Sequence, residues 1–205
     1  MQKIKTILVR DWDGDPSRVT REPAPSCDQV FANEAVPTRK YDGTAVMVRD
    51  GKLYKRYDRK KVKKGKHKGQ WKPEPLGWIP LDKDEKTGHW FGWVPVDPAN
   101  PTDKWHVQAW NQLASPLENG TYELVGENVQ GNPENIDGIT FVRHGADVLD
   151  FQFSPGGNPY DEIRAFLEAI DIEGIVWWKD REPVGKIKKV DFGLPRAPVK
   201  SSTRE

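Results

Sequence analysis

The chain has 205 residues, which is enough for one domain with a buried core. Its 32 Lys and Arg nearly balance its 31 Asp and Glu, so net charge singles out neither nucleic acid nor a membrane surface as a partner. A single cysteine, Cys27, excludes an internal disulfide framework and a multi-cysteine zinc site. No apolar run approaches the ~18 residues of a membrane span, and the polar N-terminus does not read as a signal peptide. We therefore expect a soluble, cytoplasmic, monomeric protein.

The N-terminal half of the chain begins with two strand patterns. Residues 3–10, KIKTILVR, alternate in the manner of a half-buried strand, and a loop rich in Gly, Pro and Asp follows. Residues 44–57 place β-branched and aromatic side chains on both sides of Asp50 and Gly51, a dipeptide that favours a hairpin turn. This pattern predicts a β-hairpin.

A basic and Trp/Pro-rich stretch follows the hairpin. Residues 55–68 contain nine Lys or Arg and one acid, and six of the nine Trp lie between residues 71 and 110. Because no hydrophobic period is sustained, we expect an ordered but irregular insertion over residues 59–105. Its aromatic side chains either pack against one another, which we favour, or form a stacking platform for nucleic-acid bases.

The C-terminal half predicts short strands and one helix. The strand patterns cover 121–126, 138–142, 148–153, 172–178 and 185–192. The helix begins after Asn158 with Pro159 in its first turn. Its apolar face is formed by Ile163, Phe166, Leu167 and Ile170. The predicted fold class is α+β, dominated by antiparallel strands.

The sharpest motif is Lys40-Tyr41-Asp42-Gly43, which directly precedes the first strand of the hairpin. By itself K-x-D-G is weak, since chance produces it in roughly one chain of this length in twenty. Further charged residues follow on or beside predicted strands, in the order Lys55, Arg56, Glu123, Glu173, Lys186 and Lys188. The ordered set is more informative than any member, since each alone is compatible with a solvated strand end.

This ordered set resembles the covalent nucleotidyltransferase superfamily, which comprises ATP-dependent RNA ligases, DNA ligases and mRNA capping enzymes. The resemblance implies a single nucleotidyltransferase (ATP-grasp-like ligase) domain over residues 1–205, with two antiparallel sheets enclosing an ATP pocket. It implies a covalent role for Lys40, a metal-binding role for Glu173, and phosphate-contacting and catalytic roles for Lys186 and Lys188. It also implies nucleotide contacts for Lys55 and Arg56, ribose binding by Glu123 and stacking of Phe141 on adenine.

Two segments are most similar to small RNA ligases that join 5′-phosphate and 3′-hydroxyl ends. They are residues 88–95, GHWFGWVP, and residues 121–134, TYELVGENVQGNPE. The resemblance then implies ATP and Mg²⁺ or Mn²⁺ as cofactors and RNA as the partner. Only 13 residues follow Phe192, so we expect no C-terminal oligonucleotide-binding-fold domain. The basic residues of 55–68 and of 179–204 are the candidate RNA track.

The chemistry of these residues agrees with that interpretation. A lysine amine attacks only when deprotonated, and its ordinary pKa is about 10.4. Cations such as Lys186, Lys188 and Arg56 would lower the pKa of a neighbouring lysine and neutralise ATP phosphates. One carboxylate such as Glu173, together with phosphate oxygens, is sufficient for Mg²⁺.

Several alternatives remain open. Glu127 competes with Glu123 for the ribose hydroxyls, as carboxylates in one segment. Within the superfamily the rivals are a minimal DNA ligase and a capping-type guanylyltransferase. From another class, a non-catalytic single-strand RNA-binding module would use the basic stretch and exposed Trp. The four His lack metal-ligand spacing, and no glycine-rich phosphate loop is present.

Overall fold

The computed structural model of the protein describes residues 4–85 and 87–196. Within that range the chain divides into two compact units. The six-stranded unit contains residues 43–130 and 136–143, and the three-stranded unit contains residues 4–42, 131–135 and 144 onward. Residues 197–204 of the predicted C-terminal basic track lie outside the described residues.

The six-stranded unit is one antiparallel sheet with strand order β6-β7-β5-β4-β8-β9. Its strands are β4 (Thr44–Arg49), β5 (Lys52–Arg59), β6 (Ile79–Lys83), β7 (Trp90–Pro95), β8 (Gly120–Gly126) and β9 (Ile139–Arg143). A 3₁₀ turn (Pro101–Asp103) leads into helix α2 (Lys104–Asn111). Buried residues of the sheet form the core with Ala109 of the helix, among them Val46, Val48, Tyr122 and Leu124.

The predicted hairpin is confirmed. Strands β4 and β5 pair around Asp50 and Gly51, which have φ angles of 52° and 68°. Two consecutive positive φ angles define the hairpin turn whose twist matches that of the strands. The turn residues therefore determine the register of this hairpin from local sequence alone.

The predicted irregular insertion contains two regular strands, which corrects the expectation for residues 59–105. Strand β7 pairs with both β5 and β6. Trp93 and Val94 are adjacent in β7, point to opposite faces, and are both buried. Because both faces of β7 are covered, its sequence lacks the alternation by which a half-buried strand is recognised.

The three-stranded unit is named for its larger sheet, which has strand order β11-β10-β3. That sheet is formed by β3 (Val36–Lys40), β10 (Gly174–Lys179) and β11 (Glu182–Lys188), and a second sheet pairs β1 (Leu8–Arg10) with β2 (Val19–Pro23). The helices are α1 (Asp28–Phe31) and α3 (Pro159–Ala169), and a 3₁₀ turn spans Lys189–Phe192. The pairings between named strands are antiparallel in both units, which confirms the α+β class, and the isolated bridge between Thr6 and Lys186 is parallel.

Helix α3 begins where the sequence predicts. The Asn158 side chain accepts hydrogen bonds from the backbone N–H groups of Tyr160 and Asp161, at 3.1 and 3.4 Å. These bonds satisfy two of the donors that a helix start leaves free. Ile163 and Leu167, from the predicted apolar face, are fully buried.

Two predicted strands differ from the structure. Residues 148–153 form no strand, and only an isolated bridge joins Val148 to Thr38. Strand β11 ends at Lys188, and the rest of predicted strand 185–192 is the 3₁₀ turn. Phe151 and Phe153 pack into the core from backbone outside any strand, so their apolar alternation reports burial rather than pairing. Among residues 4–85 and 87–196, no helix has the length and apolarity needed to cross a bilayer.

Candidate active site

Lys40, the first residue of the motif, is the last residue of β3 and pairs with Gly174 of β10. Its Nζ donates a hydrogen bond to Oε2 of Glu173 at 2.5 Å. A Cβ atom at Gly174 would lie 2.1 Å from the carbonyl oxygen of Ile187. The glycine after Glu173 therefore lets β11 approach β10 closely beside Lys40.

Glu173 is a buried carboxylate between two ammonium groups. Its Oε1 lies 3.2 Å from Nζ of Lys188, while its Oε2 accepts from Lys40. The Glu173 backbone carbonyl also accepts from the Lys189 N–H at 2.9 Å. A buried charge is stable only when it is paired, and Glu173 is paired on both oxygens.

Lys186 and Lys188 alternate along β11, with Ile187 between them buried in the core. The two lysines therefore share the face opposite that core. Burial, together with the charges of Lys40 and Lys188, lowers the pKa of Lys186 to about 8. The structure thus brings together four residues that the sequence predicted as site residues: Lys40, Glu173, Lys186 and Lys188.

A cavity of about 240 Å³ lies beside this cluster, in the three-stranded unit. Its lining includes Glu173, Lys188 and Asp42, the third residue of the K-x-D-G motif. Arg196, near the end of the described chain, also lines it and forms an ion pair with Asp42. Carboxylates and cations therefore face the same small space.

Glu134 is a residue that the sequence argument missed. Its side chain is only 4% exposed and accepts two hydrogen bonds, one from Arg39 at 2.6 Å and one from the backbone N–H of Asp42 at 2.7 Å. The two bonded residues flank Lys40 and Tyr41 in sequence. One carboxylate therefore binds the Arg39 side chain before the motif lysine and the Asp42 backbone after it. Glu134 ends the segment GNPE, residues 131–134, in which no local pattern marks the carboxylate as a partner of the motif.

Tyr41 is fixed by the same network. Its hydroxyl donates a hydrogen bond to Asp147 at 2.8 Å, and the Arg39 guanidinium lies 4.8 Å from its ring centroid. Burial and the contact with Asp147 raise the pKa of Tyr41 to about 12. The tyrosine therefore stays protonated and orients the backbone next to Lys40.

The other predicted residues lie in the six-stranded unit, where Lys55 and Arg56 do not share a face. Lys55 pairs with Val46 on the core face and forms an ion pair with Asp103, which is 1% exposed. Desolvation works against the charge of Asp103, but the hydrogen bond from Lys55 lowers the pKa of that carboxyl. The Lys55–Asp103 pair thus links β5 to the start of α2.

Arg56 points to the opposite face of β5. Its guanidinium carbon lies 4.9 Å from the ring centroid of Phe91 and 5.7 Å from that of Trp93. Its Nε lies 3.3 Å from Oδ1 of Asp58. Adjacent residues of a strand point to opposite faces, so one pocket on this sheet takes Arg56 or Lys55 but not both.

Glu123 lies on the same face as Arg56. Val46 pairs with both Lys55 and Tyr122, so the residues that follow each of these, Arg56 and Glu123, flank β4 on the other face. Oε1 of Glu123 accepts a hydrogen bond from the Gly43 N–H at 3.2 Å. Glu123 thereby contacts the last residue of the motif.

Gly43 is required by packing rather than by turn geometry. A Cβ atom there would lie 2.1 Å from the carbonyl oxygen of Leu124. Any side chain at this position would push β4 away from β8. The final glycine of K-x-D-G is thus explained by close backbone approach.

Phe141 lies on the core face, opposite to Glu123. It pairs with Leu124 and packs edge-on against Trp110 of α2, with ring centroids 6.4 Å apart. Val142 is the β9 residue that pairs with Glu123 and faces the same side. We therefore leave Lys55 and Phe141 out of the site and retain Arg56 and Glu123.

The metal-binding expectation rests on Glu173. Among the described residues no group of three or more His, Cys, Asp and Glu side chains could enclose a metal ion. A Mg²⁺ ion bound by one carboxylate, phosphate oxygens and water needs no such group, so Glu173 fits that chemistry.

The sequence matches the model of no protein family, and it matches no curated protein.

Proposed function

We propose that the protein is an ATP-dependent RNA ligase that joins 5′-phosphate and 3′-hydroxyl ends through a covalent Lys40–AMP intermediate. The observation that carries the proposal is the contact of Lys40 and Lys188 with the two oxygens of Glu173. These residues come from three separate sequence motifs, yet they meet in one cluster. A solvated strand end would not need this convergence.

The first step is attack of the Lys40 nitrogen on the α-phosphorus of ATP. An N–P bond forms, the bond from the α-phosphorus to the bridging oxygen breaks, and pyrophosphate leaves while Lys40 loses its protons to solvent. In the second step, an oxygen of an RNA 5′-phosphate displaces Lys40 from the AMP phosphorus. In the third, the 3′-hydroxyl oxygen displaces AMP, loses its proton and forms the phosphodiester.

Glu173 has two roles in the proposed mechanism, as an ion-pair partner and as a metal ligand. In the structure it neutralises the ammonium groups of Lys40 and Lys188. A divalent cation bound with ATP would supply charge neutralisation on the phosphates. Glu173 is its only proposed protein ligand, and the Lys40 amine must leave the carboxylate before it can attack. Lys186 and Lys188 provide positive charge for the phosphates on the same strand face.

Arg56 and Glu123 are proposed as nucleotide-binding residues. Their common face on the six-stranded sheet is consistent with that role, and a carboxylate can accept hydrogen bonds from both ribose hydroxyls. Glu123 also accepts a hydrogen bond from the backbone N–H of Gly43. The nucleotidyltransferase fold itself is part of this proposal.

The deciding experiment is the intact mass of the protein after incubation with ATP and Mg²⁺. We expect the mass of one AMP to be added and the adduct to be lost on treatment with acid. Omission of ATP is the first control, and Lys179→Met, a lysine of β10 that pairs with Glu34, is the second. Absence of any adduct with pure, folded protein contradicts the proposal and favours the non-catalytic RNA-binding alternative.

The choice of nucleotide and of nucleic acid distinguishes an RNA ligase from a minimal DNA ligase and from a capping-type guanylyltransferase. An adduct formed with GTP instead of ATP would indicate capping-type guanylyl transfer. With ATP, labelled RNA and DNA strands of one sequence, each with a 5′-phosphate and a 3′-hydroxyl, are compared in the same assay. We expect the RNA ends to be sealed and the DNA ends to be sealed more slowly.

A further inference from the structure

A second cavity, of about 560 Å³, lies in the six-stranded unit on residues that the proposed ligation chemistry does not use. It opens onto the face of β5, β6 and β7. Its lining includes Arg59, Glu74, Leu76, Trp78, Pro80 and Trp90. Its volume is within the range of sites for small planar ligands.

The indole of Trp78 is fixed in place by the sheet beneath it. A Cβ atom at Gly92 would lie 2.1 Å from Nε1 of Trp78, so the ring rests on the glycine of β7. The ring of Tyr57 meets it edge-on at a centroid distance of 6.2 Å. A ring held in this way loses little freedom when a ligand stacks on it.

Cations accompany the aromatic rings around this cavity. The Arg59 guanidinium carbon lies 5.9 Å from the Trp78 ring centroid, and Nζ of Lys83 lies 5.9 Å from that of Trp90. Arg59 and Trp90 are direct neighbours across β5 and β7. A flat aromatic ligand in this cavity would therefore meet indole rings and the guanidinium of Arg59.

The rim of the cavity presents an apolar side chain to solvent. The backbone N–H of Trp78 donates to the Pro75 carbonyl at 3.1 Å, and Gly77 has a φ angle of 73°, so residues 75–78 form a tight turn. This turn leaves Leu76 98% exposed. An unpaired apolar residue at the mouth of an aromatic cavity suits contact with a ligand.

The charge beside the cavity indicates the occupant. Lys60 directly follows Arg59 of the cavity lining, and a bridge between Lys61 and Trp71 joins the two ends of the loop that begins there. We call Lys60, Lys61, Lys63, Lys64, Lys66 and Lys68 the basic strip. All of its lysines except Lys60 are exposed. Exposed lysines so close together in one segment carry the positive charge that binds the phosphates of a single strand.

Glu74 argues for a base rather than a phosphate inside the cavity. Its carboxylate lies 3.6 Å from NH1 of Arg59 and is itself well exposed. A carboxylate repels phosphate but accepts hydrogen bonds from the exocyclic amines of bases.

We propose that this cavity holds one unpaired base of the RNA strand while the basic strip binds the flanking phosphates. The inference deepens the proposed function and rests on it for the identity of the strand as substrate. The cavity would be the contact by which the proposed ligase holds an RNA end that is not base-paired. In that case the aromatic side chains of residues 59–105 pack against one another and also form the surface on which a base stacks.

The test compares two single-stranded RNA oligonucleotides of ten nucleotides, one normal and one without bases along the whole strand. Both carry the same phosphates, so their difference in affinity isolates the contribution of the bases. We expect the wild-type protein to bind the normal strand about tenfold or more tightly than the abasic strand. Leu76→Ser and Trp90→Ala should reduce that ratio, because the first removes apolar contact at the cavity rim and the second removes an aromatic ring for stacking.

Leu76→Ser is the decisive variant, because a residue so exposed can be replaced without unfolding, whereas Trp90→Ala removes packing from β7. The matched control is Val148→Ser, which changes an exposed apolar residue of the three-stranded unit. An equal preference for bases in Leu76→Ser and wild type overturns the inference, as does equal binding of both strands by wild type.

The same wild-type preparation is assayed for the Lys40 adduct, so that the two proposals fail separately. An adduct without base preference leaves the ligase proposal standing and removes the base site. Base preference without an adduct supports the base site and contradicts the ligase proposal. The cavity would then belong to a binding module.

Discussion

The Lys40 ammonium and the Glu173 carboxylate, 133 positions apart in sequence, are joined by a hydrogen bond of 2.5 Å. Lys40 ends β3 and Glu173 directly precedes β10, and these two strands are paired. The contact therefore follows from the register of the sheet. In this state the amine is paired with a carboxylate, so under the proposed mechanism this contact has to open before Lys40 could attack.

Replacement of Lys40 should abolish the covalent step. Lys40→Ala removes the nucleophile, and Lys40→Arg supplies a guanidinium that stays protonated at working pH. Intact mass after incubation with ATP and Mg²⁺ should show no AMP adduct for either variant. An adduct on pure Lys40→Arg protein would mean that another residue, such as Lys186, is the nucleophile.

Glu173→Gln should raise the Mg²⁺ concentration needed for half-maximal adduct formation, by tenfold or more if the carboxylate is the ligand. The amide keeps the shape but not the charge of the carboxylate, so it binds a divalent cation poorly. The measurement is a Mg²⁺ titration of the AMP adduct. Glu182→Gln, an exposed acid of β11, is the matched control. An unchanged titration in Glu173→Gln would leave Glu173 with only its ion pairs.

Glu134→Gln should destabilise the protein by about 2 kcal/mol, since it breaks a largely buried ion pair with Arg39 and weakens the bond to the Asp42 N–H. Urea unfolding followed by tryptophan fluorescence gives the free energy difference. Glu127→Gln provides the control, because Glu127 is an exposed acid of the preceding segment. Equal stability of both variants would show that the Glu134 network does not hold the motif.

Lys186 should make the free energy of unfolding change with pH in the alkaline range. Its pKa is lowered to about 8 in the folded state by burial and by its charged neighbours. Between pH 8 and the ordinary lysine pKa near 10.4, the unfolded chain binds more protons than the folded chain, so this group makes stability rise with pH. At pH 7 the folded state bears the full cost, on the order of 3 kcal/mol.

Lys186→Met removes that titration while keeping the apolar stem. The variant should therefore gain stability over wild type at pH 7, and the gain should shrink as pH rises from 8 to 10. Chemical unfolding at several pH values measures both curves. A constant difference between variant and wild type would show that Lys186 is solvated in the folded protein.

The basic strip should control the salt dependence of RNA binding. The double variant Lys63→Gln/Lys64→Gln should flatten the log–log slope of affinity against salt by roughly 0.7 for each lost phosphate contact. The control Lys52→Gln/Lys179→Gln also removes two charges but lies outside the strip. Fluorescence anisotropy with a labelled single strand measures both slopes. Identical slopes would identify the strip as a solvated loop.

Local signals predicted much of the fold and fewer of the contacts. The Asp50-Gly51 hairpin and the Asn158 cap of α3 follow from turn and capping geometry, which act over two or three residues. Strand β7 escaped prediction because burial on both faces removes alternation. Lys55 and Arg56 were assigned to one pocket, although strand alternation alone separates them.

The sequence by itself determined which chemical groups the protein has and in what order: Lys40 in its motif, then Glu123, Glu173, Lys186 and Lys188. It could not determine which of them meet, because a contact across a sheet depends on strand order and register, and neither is encoded locally. The tertiary structure decided that Glu173 lies between Lys40 and Lys188 and that Glu134 holds the motif backbone. It also decided that Lys55 lies on the core face of the sheet, because the pairing of β5 with β4 turns this residue toward Asp103 and α2.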